Sequence, residues 1–406
     1  MTPTEHRLAA LFPQTIRRAL GPLSNHRPAW IAALVISRFL PRVRRLWPDT
    51  LVSAAALESQ IDALLKAWGM SQSDASITSA YLLYSDLHGI DSHGCSMLPY
   101  YHRRLLAGAL TMTPQIEVVR DDATTALIDG GGGLGHVPGD TAMKMAIAKC
   151  HKLGISAVAV RNSGHYGAAG AYALMAAREG LIGLSTTSTL EPAIVPTFGL
   201  DAMLGTNPVA FAAPSLDRPF VLDMATSTAS LGKIATQGYS GRAIPRGWAL
   251  DARGKAVTRA GSAIRLRRLT PLGSTPATSS YKGYGLAAMV EVLSAVLPGT
   301  RASSSATNRP SVGHFFMAID PRRFRDEGGF EADLSSLMEE LRGTRACDPR
   351  QPVLVPGDPE YAAHAKRSLT GIPLTRSVIE ELRTICQASG VLFTLEARSG
   401  IMGGPP

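Results

Sequence analysis

The chain has 406 residues, 45% of them hydrophobic and 18% charged. That balance excludes a disordered chain and leaves room for a large core and two lobes. Of the formal charge of +9, residues 1–49 carry about +6 through eight Arg, no Lys and two acids. The remainder carries only about +3, too little for the footprint of a nucleic-acid binder but enough to favour anionic substrates and cofactor phosphates.

Residues 1–49 are broken by Pro13, Pro22, Pro28, Pro41 and Pro48. They read as a disordered extension, or as an upstream stretch brought in by a misplaced start codon. The apolar run Ala29–Ile36 is too short to cross a bilayer, so no membrane association is expected. Regular periodicity starts near Leu51. Leu51–Trp68 reads as an amphipathic helix closed by Gly69, Ser73–Leu87 as a second with Ser71, Ser73 and Asp74 as caps, and Leu98–Leu110 as a third. Ile116–Ile128 alternates like strands, Thr141–Leu153 reads as a helix and Ile155–Val160 as a buried strand. Ala168–Glu179 is a helix, Ile182–Thr187 a strand, and Gly199–Asp223 a set of short strands. An apolar helix over Gly283–Leu297, a strand over Phe315–Ile319 and helices over Phe330–Gly343 and Thr375–Ser389 complete the pattern. Arg253–Ser280 and Thr300–Pro310 read as surface loops. Four widely spaced cysteines, Cys95, Cys150, Cys347 and Cys386, read as reduced thiols in a cytoplasmic protein.

The run Asp129–Gly135 contains G-x-G-x-x-G, the pattern of a dinucleotide-binding turn. Four consecutive glycines satisfy many patterns by chance. The next strand ends in Arg161-Asn162-Ser163 without the ribose-binding acid, and Pro138 sits where the helix should already run. A tight glycine turn near a site is the better reading.

Two of the ten histidines stand in Gly/Ser-rich loops, His93 in Asp91-Ser-His-Gly94 and His165 in Asn162-Ser-Gly-His-Tyr-Gly167. Imidazole at a strand or helix end suits proton transfer near neutral pH, and equally suits a hydrogen bond to the local backbone. No G-x-S-x-G elbow and no H-x-x-x-H pair is present, so neither a hydrolytic triad nor a metal site is expected. Asp91 reads as a cap of its turn. Lys282, at the start of an apolar helix, is either a solvated lysine or a contact for phosphate or carboxylate.

Taken in order, Asp91-Ser-His-Gly94, Asn162-Ser-Gly-His-Tyr-Gly167, Gly205-Thr-Asn-Pro208, Val221-Leu-Asp-Met-Ala225, Gly232-Lys-Ile234, Ile244-Pro-Arg-Gly-Trp248, Tyr281-Lys-Gly-Tyr-Gly285 and Val355-Pro-Gly357 resemble the malate/L-lactate dehydrogenase-like family of NAD(P)-dependent oxidoreductases. The likeness covers about residues 51–390. It implies an α/β fold of the α+β type, with a non-Rossmann cofactor domain around a large, mainly antiparallel sheet (121–299). A second, helix-rich domain is formed by both chain ends (51–120 and 300–390). It implies hydride transfer between NAD or NADP and a small 2-hydroxy or 2-oxo acid, in a homodimer. The family's two active-site histidines fall on His93 and His165, and its substrate contacts on Ser92 and Tyr101. Its cofactor contacts fall on Ser188, on Pro219, Phe220, Val221, Leu222, Asp223, Met224 and Ala225, on Tyr281 and Lys282, and on Gly357 and Asp358. Where many members carry a carboxylate-gripping Arg, this chain has Met97, which cannot form a charged pair. That leaves two alternatives, an imine reductase of the piperideine-2-carboxylate type and a non-catalytic NAD(P)H-binding paralogue.

Overall fold

The computed structural model describes residues 49–239, 241–300 and 311–395; the readings for residues 1–48 and for most of Thr300–Pro310 lie outside them. Nine strands are described. β1 (Thr50–Val52) pairs antiparallel with β9 (Ile372–Leu374), which joins the two ends of the described chain. The other seven, β2 (Glu117–Asp121), β3 (Thr125–Asp129), β4 (Ile155–Ser163), β5 (Ile182–Thr187), β6 (Val209–Ala213), β7 (Phe220–Met224) and β8 (Val312–Ile319), form one sheet in the order 2-3-4-8-5-6-7. All of its pairings are antiparallel except β3 with β4.

That one parallel pair explains the glycine run. Parallel neighbours need a crossover, and α4 (His136–Leu153) supplies it. The run is the turn that launches α4, with Gly131 and Gly132 at φ +63° and +75°, where L side chains are strained. Gly131 N–H donates to Asp129 Oδ1, and Arg161 and Asn162 also bind that carboxylate. Pro138 is no obstacle. It is the third residue of α4, inside the first turn, where backbone N–H groups have no helical partner. The helix therefore begins earlier than Thr141.

α4 and α5 (Ala169–Arg178) cover the sheet, burying Met143, Ala146, Tyr172, Ala173 and Ala176 against Ile128, Val158, Val160, Ala210 and Phe316. The helices near the chain ends build a separate core. α1 (Ala54–Ala67) begins where Ser53 caps the Ala56 N–H, and its apolar spacing buries Leu57, Ile61, Leu64 and Leu65. Each such side chain stabilises the fold by roughly 1.5–3 kcal/mol relative to exposure. Against them pack Leu82 of α2 (Gln72–Leu87), Leu98 and Tyr101 of α3 (Leu98–Leu106), and Leu382 and Ile385 of α11 (Arg376–Ala388). Met97 packs on this core as well, which gives its apolar side chain a structural place.

Arg253–Ser280 is not a surface loop. It holds α7 (Ala260–Leu266), and Ala260, Ala263 and Leu269 join Ala193, Ile234 and Ile244 in a third small core. α6 (Leu231–Tyr239) belongs to the same region. Further along the chain come α8 (Ser280–Glu291), α9 (Gly329–Arg342) and α10 (Asp358–Thr370), the last in a stretch for which the sequence predicts no element. Cys95, Cys150 and Cys386 are buried free thiols, and Cys347 is exposed.

Candidate active site

His93 and His165 come from different cores and meet. His93 sits on the loop between α2 and α3, and His165 follows the end of β4. Their rings stack with centroids 5.4 Å apart and planes 25° apart. The Tyr101 hydroxyl lies 2.7 Å from His165 Nδ1, and the Gly167 N–H donates to the same nitrogen at 3.3 Å. A backbone N–H can only donate, so Nδ1 is unprotonated in the neutral ring, Tyr101 donates to it, and Nε2 carries the proton. His93 Nδ1 is 2.8 Å from Ser92 Oγ.

The His93 loop is pinned by charge. The buried Asp86 carboxylate accepts the Cys95 N–H at 2.8 Å. Gly94 lies against it so closely that a Cβ there would overlap the carboxylate. Arg367 of α10 binds both the Asp86 carbonyl and the Asp91 carboxylate. Asp91 is therefore an ion-pair partner, not the turn cap expected of it. Its own carbonyl accepts the Ser96 hydroxyl. Burial raises the Asp86 carboxyl to about 7, against the lowering effect of the Cys95 N–H.

The His165 loop is held by packing. Gly135 N–H donates to the His165 carbonyl, so the glycine turn forms a wall of the site. His136 stands edge-on to His165 at 6.5 Å, fully buried, with no hydrogen-bond partner for either ring nitrogen among the described residues. His314, also fully buried, bridges Thr187 and Ser163 and stacks on Tyr166. Burial lowers His93 to about 4 and both His136 and His314 to about 3. It also lowers His165 well below the usual histidine range, with repulsion from His93, His136 and His314 adding to the effect. The cluster is therefore neutral at pH 7, as a proton acceptor for a hydroxyl should be. A cavity of about 400 Å³ opens beside it, lined by Tyr101, Arg104, Gly131, Gly132, Asn162 and His165 among others.

Of the residues implied by the resemblance, Tyr101 touches His165, and Ser92 touches His93. Two of the cofactor segments meet. Val221 N–H on β7 donates to the Pro356 carbonyl beside Gly357 at 3.3 Å, and Tyr361 donates to the Pro219 carbonyl at 3.0 Å. Asp223 lies at the start of α5, accepting the Gly170 N–H at 2.7 Å through Oδ2. Its other oxygen has no partner among the described residues, which suits a ribose hydroxyl. Burial raises its carboxyl to about 6. Phe220, Leu222, Met224 and Ala225 are half-buried along the same strand end. Lys282 and Tyr281 are exposed at the start of α8, and Lys282 has no carboxylate partner among the described residues, which suits a phosphate. The donor set thus fits a dinucleotide. Ser188 and Asp358 are already committed, Ser188 Oγ to the Gly313 backbone and Asp358 to Arg342 and the Val355 N–H.

Asp86, Arg367, His136 and His314 were not among the expected site residues. Only Asp86 leaves a trace in the sequence, as an acid on the buried face of α2 beside Leu82 and Ser85.

The family model for malate/L-lactate dehydrogenase matches residues 52–383. Malate dehydrogenase of Pyrococcus horikoshii is 40% identical over 340 residues, 82% of this chain and 94% of that protein. L-sulfolactate dehydrogenase of Methanocaldococcus jannaschii is 35% identical over 333 residues, 81% of this chain and 94% of that protein. The crystal structure of malate dehydrogenase from Entamoeba histolytica superposes with a TM-score of 0.81 at 31% identity, covering 86% of this chain and 100% of that one. With its stacked histidines, its glycine turn and its mostly antiparallel sheet, this chain belongs to the malate/L-lactate dehydrogenase family.

Proposed function

We infer that the chain is an NAD(P)-dependent oxidoreductase that interconverts small 2-hydroxy acids and 2-oxo acids. The observation that carries this reading is the neutral, half-buried His93–His165 pair with Tyr101 fixing one ring's tautomer. A bound NAD or NADP would supply the hydride acceptor for the carbon that bears the hydroxyl and, in its reduced form, the hydride donor. The chain's own residues manage the proton. In oxidation the hydroxyl proton passes to the histidine pair as the C–H bond breaks, and in reduction the pair returns it to the nascent alkoxide. His165 offers Nε2–H to the substrate oxygen, and the glycine turn and α3 exclude water. Asp223 with the Pro219–Ala225 strand end, the backbone of the Gly357–Asp358 turn, and Tyr281 with Lys282 would hold the cofactor.

Absorbance of the reduced nicotinamide, followed over a panel of 2-hydroxy and 2-oxo acids with both cofactors, tests the reading. Turnover of at least one acid is expected. Cofactor binding without turnover of any acid would instead make the chain a binding paralogue.

The sheet core and the end-helix core correspond, in this reading, to a cofactor domain and a helix-rich domain. We also propose a homodimer. Met289, Val292 and Val296 are exposed at helical spacing along α8 and the π-turn Val292–Val296 that continues it, an apolar stripe suited to a second copy. Light scattering should give twice the chain mass, and a monomer would refute this. Among the described residues no helix is long and apolar enough to cross a membrane.

A further inference from the structure

We propose that Arg104 grips a second anionic group of the substrate, at the end of the cavity remote from His165, and so selects dianionic 2-hydroxy acids over monoanionic ones. The proposal rests on the dehydrogenase reading above. Arg104 is the one Lys or Arg among the described residues that line the cavity. It is half-buried, and it pairs with no carboxylate among the described residues. The guanidinium uses Nη2 to donate to the Ala109 carbonyl at 2.9 Å and lies 5.9 Å from the Tyr100 ring. Guanidinium has five N–H donors in a rigid fork, so one bond to a carbonyl fixes its position and leaves donors for a planar anion. By contrast, Arg161 near the end of β4 is already bound to Asp129 at 3.1 Å.

Position sets which anion it meets. Tyr101 and Arg104 are three residues apart and share a face of α3. The Tyr101 hydroxyl touches His165, so the reacting carbon belongs near Tyr101. Arg104 is anchored beyond the C-terminal end of α3 by Ala109, about one helical turn further on. The carboxylate that every 2-hydroxy acid carries is one bond from the reacting carbon and has to lie beside His165. A cation one turn away suits a group one or two carbons further along, such as the distal carboxylate of a four-carbon diacid.

The test compares L-malate with L-lactate in the unaltered protein and in Arg104→Gln and Arg104→Lys, with affinity for the reduced cofactor followed by its fluorescence. Arg104→Gln is expected to raise KM for malate by roughly 30- to 100-fold, the size of a lost charge-assisted pair. Its kcat on malate, its kcat/KM on lactate and its cofactor affinity should stay within about threefold, and Arg104→Lys should recover part of the malate KM. Equal losses on both acids would overturn the proposal, because they would mean that Arg104 serves the common carboxylate or only caps α3. An unchanged malate KM would overturn it too. Failure of the unaltered protein to turn over malate or lactate overturns the grip, and failure over the whole acid panel sinks the dehydrogenase reading itself; both are distinguishable because no variant is needed to see them.

Discussion

The two histidines that meet at the site are supported in different ways. His93 rides on a loop tied down by Asp86, Arg367 and the Cys95 N–H, all polar contacts that reach across from α2 and α10. His165 emerges from a buried strand and is wedged among Tyr101, His136 and the glycine turn. One side of the site is therefore sensitive to charge and the other to volume. The contrast also shows how a mobile-looking Ser/Gly loop becomes a precise support: Gly94 lets the backbone approach a buried carboxylate that no larger residue could lie against.

The largest effects should come from the rings themselves. His93→Ala and His165→Ala should each lower kcat/KM for the preferred acid by about a thousandfold, within the range of lost acid–base catalysis, while fluorescence titration shows the reduced cofactor still bound. Gly94→Ala should cost about a hundredfold in kcat, because its Cβ must push the His93 loop off Asp86; circular dichroism should show the fold retained. Tyr101→Phe leaves Gly167 alone to hold the His165 tautomer, and kcat should fall by about tenfold. Smaller still, Arg367→Met frees Asp91 and should lower kcat only a few-fold. Added salt should reproduce part of that loss in the parent but have no further effect on the variant. Equal salt sensitivity in both would break the distinction between the charged and the packed side.

The same burial predicts two pH effects. His93 stays neutral down to about pH 4, so the acid limb of kcat/KM for hydroxy-acid oxidation should lie well below the ordinary histidine value of about 6.5. A limb near 6.5 would mean that the rings are solvated. His136 and His314 take up protons in the unfolded chain near pH 6.5 but in the folded one only near 3. Between those values the unfolded state binds more protons, so stability falls as pH falls, by up to roughly 1.4 kcal/mol per pH unit for each buried ring. Asp86 and Asp223, whose carboxyls are raised to about 7 and 6, act in the opposite sense, because the folded state holds their protons. The histidines, with His93 and His165 added, outnumber them. Tm should therefore drop between about pH 6 and pH 4.5.

Much of this fold is legible in local patterns. Ile182–Thr187 is strand β5 end to end, and Ser71 caps its helix as its residue type suggests. What was not legible depends on distant partners. α10 has no fully buried residue and hence no apolar stripe to read; part of what holds it is the pairing of Asp358 with Arg342 and of Arg367 with Asp91. The Arg253–Ser280 segment folds on alanines whose neighbours lie at positions such as 193 and 234. His93 and His165 look alike in sequence to any loop histidine. Only the ordered motifs around them set them apart, and only the structure stacks them. His136 and His314 carry no local signal at all, because their role comes from the rings around them.

A double variant tests directly whether the two rings act as one proton-exchanging unit, as proposed. If kcat for hydride transfer is measured for His93→Ala, for His165→Ala and for both together, the double variant should lose no more than about threefold beyond the worse single one, because a unit already broken cannot be broken again. Losses that multiply, or single variants that retain full activity, would contradict it.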